Sequence, residues 1–193
     1  MDTYDTILKR RSIRKYTQLP IPQPLIAKML NAARLAPTGN NMQSLKFYAV
    51  TDPVKLKEIF PFTKYAGYLP GGECSPSVEE APTAVILVLN DTRIKLSDDT
   101  ACGAAAMSII LTAQNEGVSS CWMMAIEKKS ICRICGIDDS FLHLHSLISL
   151  GYPAMVSRAE PMKYDGSIKY YLDEDGVLCV PKRHLEDVTK ILK

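Results

Sequence analysis

Between 98 and 122 the chain reads DDTACGAAAMSIILTAQNEGVSSCW, and this stretch limits what the remainder can become. Residues 100–115 carry no charge, follow the acidic pair Asp98 and Asp99, and precede Gly117. Negative charge favours the start of a helix and glycine its end, so the pattern predicts a helix of about 16 residues. A short strand over 119–125 follows it. Ala101, Ala105, Ser108 and Thr112 recur at helical spacing as a face of small side chains, while Met107, Ile110, Leu111 and Gln114 make a larger, mostly apolar one. A helix that is apolar nearly all round belongs in a core or a large interface, and its small face lets another backbone approach closely. A membrane span is the rival reading. It needs about 20 apolar residues, and Gln114, Asn115 and Glu116 stand where the run has to continue.

The chain of 193 residues, with 47% hydrophobic and 23% charged residues, is sized for one domain with a substantial core. Its formal net charge is +2 with both signs interspersed, which suggests neither a nucleic-acid partner nor another polyanion. The N-terminus, MDTYDTILKRR, lacks an apolar run of signal-peptide length, so a cytoplasmic location is expected, with the six cysteines as reduced thiols. Cys132-x-x-Cys135 with His143-x-His145 has the residue types of a zinc site, but the pairs lie too close together for a finger. The expectation is therefore thiols without a metal.

Helices are expected over 3–10, 24–34, 53–60 and 129–135, and strands over 46–50, 84–90 and 144–152. A hairpin should turn at 173–176 between 168–172 and 177–180, and a last amphipathic helix should cover 183–192. Helices and strands mix without strict alternation, which argues for an α+β domain. Two loops stand out. Thr38-Gly-Asn-Asn-Met-Gln-Ser is rich in amide side chains, which can be a plain capped turn or a binding loop. The irregular stretch 61–80 is long enough to be a lid or binding segment.

The cations of Lys9-Arg-Arg-Ser-Ile-Arg-Lys15 surround a serine, a donor set suited to phosphate; a solvated helix end is the alternative. There is no Gly-x-Gly-x-x-Gly, Walker loop or Gly-x-Ser-x-Gly, and the three histidines (143, 145 and 184) come late with no nucleophile motif near them. The side chains are short of reactive groups, a shortage that a bound cofactor would make good.

Four segments, in this order, resemble the FMN-dependent nitroreductase family: Arg10-Arg-Ser-Ile-Arg14, Ala36-Pro-Thr-Gly-Asn-Asn-Met-Gln43, 103–122 ending in Gly-Val-Ser-Ser-Cys-Trp, and Leu147-Ile-Ser-Leu-Gly-Tyr-Pro153. The resemblance spans about 3–153, and the tail from Pro181 fits it too. It implies a nitroreductase-like α+β fold: a central mixed or antiparallel sheet flanked by helices, with the long buried helix at a homodimer interface. The whole of 1–193 would be one such domain, with 164–193 as its extension. It implies FMN as cofactor, with Arg10, Arg11, Ser12 and Arg14 at its phosphate, ribityl chain and pyrimidine edge, and Lys182 and Arg183 completing the phosphate site. Pro37, Thr38, Asn41 and Gln43 would reach the flavin from the other subunit, and Trp122, Met123 and Met124 would pass along its ring, all three through backbone donors. No side chain is expected to be catalytic; Arg14 tunes the flavin. NADPH or NADH would reduce the flavin, which would then reduce a small-molecule acceptor such as a nitroaromatic or quinone, in ping-pong order. A nonenzymatic flavin- or anion-binding protein on the same fold is the alternative. Two departures from the family pattern are Ser44-Leu45, where Pro-Trp is common, and Met107-Ser108, where Gln-Asn is frequent.

Overall fold

The computed structural model describes residues 2–69, 72–164 and 166–192. Its centre is a four-stranded sheet of order β1-β2-β4-β3, formed by β1 (Leu45–Val50), β2 (Ala84–Asp91), β3 (Ser119–Met123) and β4 (Leu142–Gly151), with every neighbouring pair antiparallel. Every residue of β2 is buried, because helices cover both faces of the sheet and the strand's alternating side chains all find a core. Ala84, Ile86 and Val88 join Ile148 and Leu150 of β4 beneath α2 (Gln23–Arg34) and α4 (Asp99–Asn115). Val85, Leu87 and Leu89 join Leu144 and Leu147 on the other face, beside Ile59 of α3 (Pro53–Ile59) and Ile131 and Cys132 of α5 (Lys128–Cys135). Cys132 is a core residue there, its thiol pushed up by burial.

The predicted central helix is α4. It buries Ala101, Cys102, Ala105, Ala106, Ile109, Ile110 and Ala113. The two expected faces are divided differently in the fold: Ala101 and Ala105 point inward with Ile110, while Ser108, Leu111, Thr112 and Gln114 are half-buried and Met107 is 39% exposed. Helix α1 (Thr3–Lys9) starts with the Asp2 carboxylate accepting from Asp5 N–H at 2.8 Å. Pro22 and Pro24 open α2, as expected of proline at a helix start.

The C-terminal part departs from expectation. Val177 N–H donates to the Asp173 carboxylate at 2.8 Å, and Gly176 takes φ +74°, so the turn forms. Its arms are β6 (Tyr171–Leu172) and β7 (Leu178–Lys182), and β7 pairs in parallel with an unanticipated strand, β5 (Ser157–Pro161), giving a second sheet of order β5-β7-β6. The helix expected over 183–192 is only α6 (Leu185–Val188). Leu185, Val188, Ile191 and Leu192 are 59–87% exposed, so the amphipathic pattern has no surface to bury against, and so short a helix is not self-supporting.

Candidate functional site

The chain leaves α1 at Arg10 and runs along the outer edge of β3. Ser12 bridges to Ser120 in parallel, with Ile13 N–H donating to Ser120 O at 3.0 Å. Tyr16 N–H donates to Glu80 O at 2.9 Å, and Ala154 N–H donates to Lys15 O at 2.9 Å. The cationic segment thus covers part of an edge that would otherwise expose unpaired backbone groups. Tyr16 is 1% exposed and its hydroxyl shares a 2.9 Å hydrogen bond with Ser149 Oγ. A Cβ on Gly151 would come within 2.8 Å of the Tyr16 side chain, which explains glycine in the Leu-Gly-Tyr-Pro motif.

Arg10, Arg11, Ser12 and Arg14 are all half-buried. Arg11 turns back on α1, its guanidinium donating to Leu8 O at 2.5 Å and to Arg10 O, so in this conformation it caps the helix C-terminus. Arg10 and Arg14 have no ion-pair partner among the described residues. The fields of both reach the Cys121 thiol on β3, where burial pushes its pKa up and the two cations oppose that. Arg14 lies 5.0 Å from the centroid of the Tyr170 ring, its Nη1 donates to Ser12 O at 3.3 Å, and its backbone N–H donates to Met155 Sδ at 3.4 Å.

Along β3, Trp122 is 37% exposed and its Nε1–H donates to Ser146 Oγ at 2.7 Å. Met123 points into the core at 5% exposed, so only its backbone can serve a ligand, whereas Met124 is 59% exposed. A bulge in β4 at His145 brings the sequence Asp99, His145, Ser146 together: His145 Nε2 is 3.7 Å from Asp99 Oδ1 and Nδ1 is 3.0 Å from Ser146 Oγ. This is not a nucleophile: Ser146 is fully buried, and its Oγ accepts from Trp122 Nε1–H. Burial lowers the His145 pKa, against the pull of Asp99.

The amide loop lies on the other side of the molecule. Pro37, Asn41 and Gln43 are exposed and Thr38 half-buried, with Gln43 N–H donating to Thr38 Oγ1 at 3.1 Å. Asn40, Asn41 and Gln43 all take positive φ, at 52°, 54° and 50°, a conformation asparagine tolerates better than glutamine does. Ser44, one of the departures noted above, is fully buried; its hydroxyl donates to the Asp98 carboxylate at 3.0 Å and its carbonyl accepts from Asp91 N–H at 2.7 Å. The loop feeds β1, at the opposite edge of the sheet from β3, three strand spacings or about 14 Å away. Within one chain the amide loop and the cationic segment are therefore apart. Lys182 ends β7 and is exposed, as is Arg183 after it.

The 61–80 stretch is tied down at both ends: Lys64 N–H donates to Ala125 O at 3.0 Å, and Glu80 pairs with Lys15 at 3.3 Å. Between them the Tyr65 hydroxyl is buried without a hydrogen-bond partner among the described residues, and burial pushes its pKa up to about 12. Tyr68 packs on Tyr170 with ring centroids 5.1 Å apart, and its N–H donates to the Tyr170 hydroxyl at 3.3 Å. Tyr170 is the residue that sequence reading missed; its contacts with positions 14 and 68 are too distant in sequence to leave a local signal.

The family model described as the nitroreductase family matches residues 7–69 and 70–152. A protein of Archaeoglobus fulgidus carrying the provisional name NADH dehydrogenase/NAD(P)H nitroreductase is 32% identical over 76% of this chain and 83% of its own length. The FMN reductase (NADPH) of Bacillus subtilis is 25% identical over 83% of this chain and 69% of its own. Among solved structures, the FMN-dependent nitroreductase of Clostridium difficile R20291 superposes with a TM-score of 0.65 at 26% identity, covering 79% of this chain and 88% of that one. The fold is that of an α+β oxidoreductase with an antiparallel sheet between helical layers. The chain belongs to the nitroreductase family.

Proposed function

We propose that the protein is a homodimeric FMN-dependent oxidoreductase, one domain per chain, that takes hydride from NADPH or NADH and passes electrons to a small acceptor such as a nitroaromatic or quinone. The observation that carries this reading is the split between the two edges of the sheet: Arg10 and Arg14, without an ion-pair partner among the described residues, beside β3, and exposed amides before β1. A dimer in which one copy's amide loop meets the other copy's cationic segment completes a site that a single chain leaves divided. The half-exposed face of α4, with Met107 and Leu111, supplies apolar surface for that contact.

The donor set fits FMN. Arg10 and Ser12 would hold the phosphate through charge-assisted bonds, while Lys182 and Arg183 add cations from the C-terminal extension. Arg11 takes part once it releases the carbonyls of α1. Arg14 would stand at the pyrimidine edge, where a cation favours electron uptake. Trp122 with the backbone of Met123 and Met124 would line the ring, and Pro37, Thr38, Asn41 and Gln43 would close it from the second copy. The bound flavin supplies the hydride and electron chemistry. The chain excludes water and fixes charge around it; Tyr65, protonated through the physiological range, is a group that can hold a proton near this edge. In the FMN-dependent family donor and acceptor would use one flavin face in turn, giving parallel double-reciprocal plots.

The test is a visible spectrum of the purified protein, followed by anaerobic NADPH. A flavin spectrum that bleaches on NADPH and returns on adding a quinone is expected. Protein that takes up no FMN in a fluorescence titration would sink the proposal, and flavin that binds but resists NADPH and NADH would leave a binding protein.

A further inference from the structure

We infer that Tyr170 is a positioning residue for Arg14, and that the C-terminal extension is thereby part of the electrostatic control of the flavin; the inference rests on the function proposed above. The family match ends at residue 152, and Tyr170 and Met155 both lie beyond it. Yet both contact Arg14, as does Ser12 O: the ring lies 5.0 Å from the guanidinium carbon, the sulfur accepts from the backbone N–H at 3.4 Å, and the carbonyl accepts from Nη1 at 3.3 Å.

The chemistry of these partners matters. A carboxylate would hold Arg14 firmly and cancel the positive charge that the neighbouring flavin would feel. An aromatic face attracts the guanidinium through its quadrupole and adds no net charge. No carboxylate pairs with Arg14 among the described residues, so its field is kept while its motion is restrained. The ring in turn is fixed. Tyr68 N–H donates to its hydroxyl at 3.3 Å, the two rings pack at 54°, and Tyr170 lies against the cluster of Ala66, Cys74 and Leu178. Tyr68 belongs to the 61–80 segment, so that segment and the extension meet at the ring that restrains Arg14.

The experiment is an anaerobic redox titration of bound FMN in the full-length protein and its variants. Tyr170→Leu should make the two-electron midpoint potential more negative by about 30 mV, equivalent to a tenfold change in the oxidised-to-reduced ratio. Tyr170→Phe keeps the ring and should restore the wild-type potential, while the Tyr68 amide, deprived of its acceptor, exchanges faster with solvent. In an Arg14→Gln background, Tyr170→Leu should add no further shift, because the ring then has no cation to hold. Should Tyr170→Leu fold poorly, Tyr170→Met repeats the test with an unbranched side chain. A wild-type potential in Tyr170→Leu, or a shift that persists in the Arg14→Gln background, overturns the inference and leaves the proposed function standing. Wild-type protein that takes up no FMN overturns both.

Discussion

At the scale of single residues, the segments of the candidate site are held in place by side chains elsewhere in the fold. Gly151 leaves room for Tyr16, whose backbone N–H is bonded to Glu80 and whose neighbours Ser12 and Arg14 flank β3. Gly151→Ala forces a 2.8 Å contact with a ring that is 1% exposed, and should cost about 1–3 kcal/mol in urea unfolding, as overpacking does. Ser44 has an equivalent part on the opposite edge. Its hydroxyl satisfies Asp98, which is 4% exposed and held below the usual carboxylate range by Lys95 first and Ser44 second, against burial. Ser44→Ala should cost about 1–2 kcal/mol. Because the folded pKa of Asp98 lies below its unfolded value, its contribution is fully present above about pH 4 and is lost as pH falls through the folded value. Urea midpoints of wild type and Asp98→Asn should therefore differ at pH 7 and converge in acid; a constant difference would contradict the assignment. The cations of 10–14 could be read from sequence because charge and spacing are local. Ser44 read only as a departure from a family pattern, since its partner is 54 positions away.

Among the elements, β2 could be read because burial on both faces writes an unbroken apolar run, and α4 because its uncharged stretch 100–115 lies between Asp98–Asp99 and Gly117. Strand β5 could not: SRAEP carries two charges in five residues, and its parallel partner β7 begins 21 positions after it. The tail misled in the other direction, since an amphipathic pattern over 183–192 specifies a helix only where a surface receives it. The outward side of α4 carries the corresponding prediction for assembly. Met107 is 39% exposed in the middle of the helix, between the buried Ala105–Ala106 and Ile109–Ile110 pairs. Met107→Glu should weaken the proposed dimer by about 100-fold or more, the cost of an unpaired charge at a buried contact, with FMN lost in parallel. Sedimentation velocity across a dilution series reads this. A variant that stays dimeric at wild-type concentrations would remove this face from the interface.

For the molecule as a whole, the proposed function requires a flavin site assembled from opposite sheet edges of two copies. The fold makes this testable, because a mixed dimer separates it from a site within one chain. One chain would carry Arg10→Ala and a different affinity tag from its partner, which would carry Asn41→Ala with Gln43→Ala. In a mixed dimer with shared sites, one site receives both defects and the other receives none. FMN titration of the doubly purified mixed dimer should then find one site of wild-type affinity per dimer, while each parent homodimer binds at least about tenfold more weakly, as loss of a charge-assisted bond predicts. If both sites of the mixed dimer are as weak as those of the parents, the cationic segment and the amide loop do not meet across two copies, and no flavin site is shared between them.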